Sequence, residues 1–280
     1  MPFFRRRTPE LELEDASLIE PARAGAFDLS TSAPNLNYEH RIVAFLDVLG
    51  WKALVERSVR DPDVMRAIST AVGWIYSVQE TLPGQRGFFS ATQFSDSIVL
   101  SVSIAPRRDR ISPPFQLFTS CCMLSRLLMR QGIFVRGGIT DGLMYHSGSI
   151  AFGPALTAAY ELESRIAVTP RIVTPSRSTG EPRMMFARDQ KTGFRTNFWR
   201  KDTSDNVYFL DVLGSFSGVP ECDLFVEGHP ELSTRLEDFA KPIQTVVTEH
   251  QKSERISSKY RWVRKYYNEI ATEFGHEPLK

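Results

Sequence analysis

The run Ile42-Val43-Ala44-Phe45-Leu46 constrains the chain most, because it is apolar without a gap and is then closed by Asp47. Such a run predicts a strand buried on both faces. A charge at the end of a buried strand is costly unless it is paired or faces a cation. An Asp just before a helix is equally ordinary as a cap. Gly50 follows three residues later and lets the chain turn sharply. A turn there would leave the N–H groups from Val48 to Lys52 facing an anion. Two readings of Asp47 therefore stand: a helix cap, or a ligand in a corner that takes a metal ion and a phosphate.

After this corner the spacing predicts a short helix over 52–59. Asp61-Pro62-Asp63 then opens a second helix, with a buried stripe at Val64, Ile68, Ala71, Val72, Ile75, Val78 and Leu82 and a stop at Pro83-Gly84. Strands are expected over 87–94 and 97–104, joined by the tight tip Phe94-Ser95-Asp96-Ser97. Asp is a common turn former, which by itself explains Asp96. A basic, proline-bearing loop over 105–114 leads to an amphipathic helix through Phe115, Phe118, Cys121, Leu124 and Leu128. The strand over 133–140 carries Arg136 and the pair Gly137-Gly138, where glycines imply close backbone approach. A loop or short strand over 143–152 precedes Gly153-Pro154, which opens a third helix with Ala155, Leu156, Ala159 and Leu162 on its apolar face. A short strand follows at 171–174, an irregular polar stretch at 175–205, and a last strand at 206–212. Residues 230–273 read as helical, with breaks near Pro242 and Ser253.

The order β-α-β-β-α-β is the split pattern of the ferredoxin-like α+β class, here with a C-terminal helical extension. The expected organisation is an extended or partly disordered arm over 1–39, a catalytic domain over 40–215 and the helical extension over 216–280. In that topology the first strand is central and the hairpin runs beside it. Asp47 and Asp96 then become neighbours, and carboxylates that close repel unless a cation lies between them.

The chain has 280 residues, enough for one large domain or two small ones. Its formal net charge is +1, so no basic surplus points to nucleic acid. Phe88, Phe89 and Phe94 sit on strands without a matching basic cluster, which also argues against an RNA-binding sheet. Apolar runs reach only strand length, so no membrane partner is expected. The Arg5-Arg6-Arg7 run has no apolar core after it and is not a secretory signal. Cys121, Cys122 and Cys222 form neither a disulfide framework nor a zinc spacing, which points to a reduced, cytoplasmic setting.

Several segments together resemble the class III nucleotide cyclases. They are Phe45-Leu46-Asp47-Val48-Leu49-Gly50-Trp51, Phe94-Ser95-Asp96-Ser97, Arg136-Gly137-Gly138-Ile139-Thr140-Asp141-Gly142, and the helix from Gly153 to Glu163. The likeness covers roughly 41–174. Thr157 stands where that family has a transition-state Asn, Glu161 where it has an Arg, and Thr92 where it has an adenine-reading Lys. The wording of the motifs is similar instead to the pyrimidine nucleotide cyclases of bacterial Pycsar anti-phage defence.

This resemblance implies conversion of UTP to 3′,5′-cyclic UMP and pyrophosphate, a second messenger sensed by a separate effector. It implies two Mg²⁺ or Mn²⁺ ions held by Asp47 and Asp96, with the Val48 carbonyl as a further ligand. It also implies a homodimer with composite sites. The phosphates would meet the N–H groups of Leu49, Gly50, Trp51 and Lys52, and the base would meet Trp51, Thr92 and Tyr160. Arg136 is the candidate to replace the missing transition-state cation; a structural ion pair with Glu161 or Glu163 is the alternative for it. Trp51 and Tyr160 could equally be packing residues. The competing functions are a cytidylate cyclase, making cyclic CMP from CTP, and an inactive cyclase-like module that senses nucleotides.

Overall fold

The computed structural model describes residues 36–80, 88–104, 113–175, 186–188, 195–216, 235–250 and 253–280. The expected N-terminal arm up to residue 35, the helix stop at Pro83-Gly84, the arginines at 107–110 and Cys222 lie outside them. Residues from Asn37 to Lys280 form one unit.

The apolar run becomes β1 (Glu39–Val48), followed by α1 (Trp51–Ser58), α2 (Pro62–Glu80), β2 (Phe89–Phe94), β3 (Ser97–Ser103), α3 (Pro113–Met129) and β4 (Val135–Ser147). Strand order through this part is β2-β3-β1-β4, with β1 antiparallel to both its neighbours. This is the ferredoxin-like arrangement expected from the sequence, with β1 central and Asp47 opposite both Ser97 and Arg136. Asp61 caps α2 as expected, accepting from the N–H of Asp63 at 3.1 Å.

Beyond β4 come β5 (Ile150–Phe152), α4 (Pro154–Arg165) and β6 (Ile172–Thr174), then β7 (Phe186–Arg188), β8 (Arg195–Asn197), β9 (Trp199–Lys201) and β10 (Tyr208–Leu210). β5 folds back on β4, while β6 joins β4 in parallel and extends the sheet through β10 to β9. The stretch expected to be irregular thus supplies strands, and Phe198 and Trp199 in it are fully buried against Phe118.

Alternation along β1 assigns its two faces. Ile42, Ala44, Leu46 and Val48 join the large core with α2, α3 and the C-terminal helices α5 (Glu237–Glu249) and α6 (Glu254–Glu273). Val43 faces the other way, into a smaller core with Val99, Met144 and with Ala155 and Ala159 of α4. Asp47 follows the parity of Val43 and therefore lies on the α4 side.

Two expectations about helices change. α3 is buried along all of Leu117–Met129 rather than on one stripe, because α5 covers the side that sequence periodicity leaves to solvent. Its Arg126 is tolerated there because the carbonyls of Val212 and Leu213 accept from it at 2.7 and 2.8 Å. Pro242 does not break α5, whose burial of Phe239, Ile243, Val246 and Val247 holds the helix across the lost N–H. The break near Ser253 is present, between α5 and α6.

Candidate active site

The corner at the end of β1 is built by three local devices. Gly50 sits at φ 74°, the left-handed region that a glycine enters without strain, and it turns the chain directly into α1. The β2–β3 tip has two residues, Ser95 and Asp96, and Ser95 also adopts a positive φ of 57°. The Asp96 carbonyl accepts from the Val48 N–H at 2.9 Å, which ties the tip to the end of β1. Asp47, Val48, Leu49, Gly50, Trp51, Lys52, Ala53, Glu56 and Asp96 then line one open cleft of about 430 Å³. That volume falls in the range of small-molecule sites, about 300–1,000 Å³.

Asp47 and Asp96 differ in their partners. Asp47 Oδ2 accepts from Arg136 Nε at 2.9 Å. The Asp96 carboxylate has no hydrogen bond or ion pair among the described residues. Neither carboxylate caps α1: its N-cap position is Gly50, with no side-chain hydrogen bond. The first-turn N–H groups of α1 therefore open toward the cleft.

Not all of the expected N–H groups are available. Val48 donates to Asp96 and Leu49 donates to the Phe134 carbonyl at 2.9 Å. Leu49 thus lines the cleft with its N–H already bound, and the donors left without a backbone partner among the described residues are those from Gly50 through Ala53. Lys52 is at the surface, its side chain 91% exposed and 4.0 Å from Glu56.

Of the three residues expected at a base, only Trp51 is on the cleft; it also packs against the main core. Thr92 lies elsewhere on the β2–β3 face. Its hydroxyl is 2.9 Å from His146 Nε2 and donates to the Gly148 carbonyl at 2.9 Å. β4 is long enough to curl back over this face, and His146 also meets Ser101 Oγ at 2.8 Å. Arg41, buried to 1% exposure, donates from Nε to the same Ser101 hydroxyl at 2.8 Å. Burial, and then the Arg41 charge, push the His146 ring down to about 4. Tyr160 stands on α4, half exposed, with its ring edge on Phe45 at 5.4 Å.

Arg136 is engaged by two carboxylates. Besides Asp47, its Nη2 lies 2.7 Å from Glu163 Oε1, outside hydrogen-bond alignment. Glu161 is not its partner; it faces Arg165 at 3.8 Å on the exposed side of α4. Thr157 turns its hydroxyl back to the Gly153 carbonyl at 3.4 Å. Glu163 is buried, and that burial raises its carboxyl above the usual range against the pull of Arg136. The sequence carried a signal for it: Ala155, Ala159 and Glu163 recur every four residues, so the small face of α4 ends in a carboxylate.

Among the described residues no three His, Cys, Asp or Glu side chains gather as a metal cluster. A pair of carboxylates still fits a hard divalent ion of the Mg²⁺ kind, which typically takes one or two carboxylates and completes its shell with water and substrate phosphates. The unpartnered Asp96 and the remaining oxygen of Asp47 are such donors. No described helix is long and apolar enough to cross a membrane.

No protein family profile and no curated protein matches the chain. Among solved structures it is similar to the guanylate cyclase domain of RhGC from Catenaria anguillulae in complex with GTP, at 11% identity over 62% of this chain and 97% of that one, with a TM-score of 0.39. It is also similar to the adenylyl cyclase CyaB from P. aeruginosa, at 13% identity over 49% and 76%, with a TM-score of 0.35. A bacterial light-regulated adenylyl cyclase matches at 13% identity over 49% and 76%, with a TM-score of 0.32.

Proposed function

We propose that the chain is a nucleotide cyclase, and that its substrate is a pyrimidine nucleoside triphosphate, UTP, cyclised to 3′,5′-cyclic UMP. The observation that carries the reading is one cleft holding Asp47, an unpartnered Asp96 and the open first turn of α1. The choice of a pyrimidine, and of UTP over CTP, rests on the wording of the sequence motifs.

In the reaction the ribose 3′-oxygen bonds to the α-phosphorus and the α-phosphorus–oxygen bond to the β-phosphate breaks. Pyrophosphate leaves with the electron pair, and the hydroxyl proton is lost to solvent. Attack within one molecule gains most from positioning. Asp47 and Asp96, with the Val48 carbonyl, would hold Mg²⁺ or Mn²⁺. Such ions acidify the attacking hydroxyl and neutralise the phosphates when bound. The N–H groups of Gly50, Trp51 and Lys52 receive the terminal phosphates, as the start of a helix does for anions. Trp51 offers its ring to the base. Arg136 places positive charge beside Asp47, where the phosphates would be drawn in. A homodimer would supply the opposite wall, and the product would act on a separate effector in defence against phage.

A second reading has one observation in its favour. Thr157 turns back on the Gly153 carbonyl and Glu161 is a carboxylate facing Arg165, so neither of these two positions offers a cation to a reacting phosphate. The chain would then bind a nucleotide and signal without turnover. Incubation with ATP, GTP, CTP and UTP at equal concentration with Mn²⁺, followed by product identification and pyrophosphate assay, separates the readings. Cyclic UMP as main product supports the first. Cyclic AMP or cyclic GMP as main product refutes the pyrimidine assignment, and nucleotide binding without pyrophosphate release favours the sensor.

A further inference from the structure

The ion-pair chain Asp47–Arg136–Glu163 has an uneven build. Arg136 Nε makes an aligned hydrogen bond to Asp47 Oδ2 at 2.9 Å. Its Nη2 is 2.7 Å from Glu163 Oε1 but out of alignment, so that oxygen has no hydrogen-bond partner among the described residues. The Glu163 side chain is 4% exposed, whereas Asp47 and Arg136 are 18% and 25% exposed, and of the three Asp47 lines the cleft. The backbone fixes this geometry. Arg136 and Gly138 share a face of β4. A Cβ on Gly138 would lie 2.3 Å from the Ala159 carbonyl oxygen, so α4 rests directly on the strand. Glu163, one turn beyond Ala159, is thereby set beside Arg136.

A buried carboxylate with an unmet acceptor next to a guanidinium is a seat not fully taken. Arg136 compensates Asp47 while the cleft holds no cation. A divalent ion on Asp47 would bring a second positive charge against the same carboxylate. The guanidinium then needs another anion within reach, and Glu163 is already in contact. Among the described residues Glu163 does not join the two aspartates in a three-carboxylate metal group.

We propose that Glu163 is a positioning residue that retains Arg136 while the guanidinium yields Asp47 to an incoming divalent cation. This rests on the assignment of Asp47 and Asp96 as the cation site.

The test is Mn²⁺ binding to the full chain without nucleotide, by isothermal titration calorimetry, with thermal melting as a folding check. Glu163→Gln removes the seat, so Arg136 stays on Asp47 and the Mn²⁺ dissociation constant rises about tenfold or more. Glu163→Asp keeps the charge but shortens the reach, and should weaken binding nearly as much. Adding Arg136→Met to Glu163→Gln removes the competitor and should bring the constant back to within about threefold of the parent. Wild-type affinity in Glu163→Asp reduces Glu163 to a distant charge and overturns the proposal. A double variant as weak as Glu163→Gln overturns it too, because Arg136 then mediates nothing. Asp96→Asn distinguishes the premise. If the parent chain does not bind Mn²⁺, or binds it unchanged in Asp96→Asn, the cation site itself is wrong and the proposal falls with it.

Discussion

Replacing Gly138 with Ala tests whether α4 is seated on the sheet as closely as the candidate site requires. The added Cβ would lie 2.3 Å from the Ala159 carbonyl oxygen and 2.5 Å from the Leu162 Cβ. Ordinary contact begins near 3.4 Å, so α4 must retreat by about 1 Å. Neither obstacle is the end of a flexible side chain, so the strain belongs at the upper end of overpacking costs, about 3 kcal/mol. Gly138 has no positive φ, so alanine gains about 0.5–1 kcal/mol by restricting the unfolded chain. The net expectation is a loss of about 2 kcal/mol, or a melting temperature lower by about 4–8 °C. Urea unfolding followed by tryptophan fluorescence measures it. Gly73→Ala is the internal control: it lies within α2 with nothing within 4 Å of an added Cβ, and should stabilise by about 1 kcal/mol. If Gly73→Ala behaves so and Gly138→Ala stays within about 0.5 kcal/mol of the parent, α4 is not seated as described.

Asp47→Asn or Asp96→Asn should abolish cyclisation while leaving the melting temperature within a few degrees of the parent; near-normal turnover in either would refute their assignment as cation ligands. Mixing an Asp47→Asn chain with one altered only on the opposite wall should restore activity if the sites are composite, whereas full activity in a monomer at micromolar concentration refutes the dimer. His146 is held neutral in the fold, its ring pushed down to about 4 from an ordinary value near 6.5. The unfolded chain therefore binds more protons in this window. The resulting stability is complete above pH 6.5 and is lost as pH falls toward 4, by about 3 kcal/mol at most. Urea midpoints from pH 7 to 4 should fall less steeply in His146→Gln; parallel curves would refute the burial of the ring.

The central part of the fold was legible because its signals are local. β1 is an uninterrupted apolar run, the β2–β3 tip needs only two residues, and Asp61 and Gly153-Pro154 mark helix starts within a few positions of themselves. β9 gave no such signal. It is three residues long, and Trp199 becomes a strand residue only by pairing with Leu210 of β10. The interior charge of Arg126 was hidden for the same reason. Its acceptors, Val212 and Leu213, lie 86 and 87 positions away, and no period along α3 encodes them.

The site divides along the same line. Asp47, Gly50 and Asp96 were readable because each ends or turns an element, and the strand order then brings the two carboxylates to one cleft. The engagement of the Thr92 hydroxyl was not legible, because its partner, His146, is 54 positions away. Only the backward curl of β4 joins the two. Glu163 is the instructive case, since both halves of its signal were in the text. A glycine at 138 means that something packs on the strand with no room for a side chain. A helix whose small residues recur at 155 and 159 is what can pack there, and the next residue in that series is a carboxylate. Two residues upstream of the glycine, on the same strand face, stands an arginine. Together the close approach and the two periodicities, two along β4 and four along α4, put Glu163 against Arg136 before any coordinate is known. The arginine between Asp47 and Glu163 is therefore a consequence of how tightly α4 is seated, which is why one methyl group at position 138 should disturb the candidate site as well as the core.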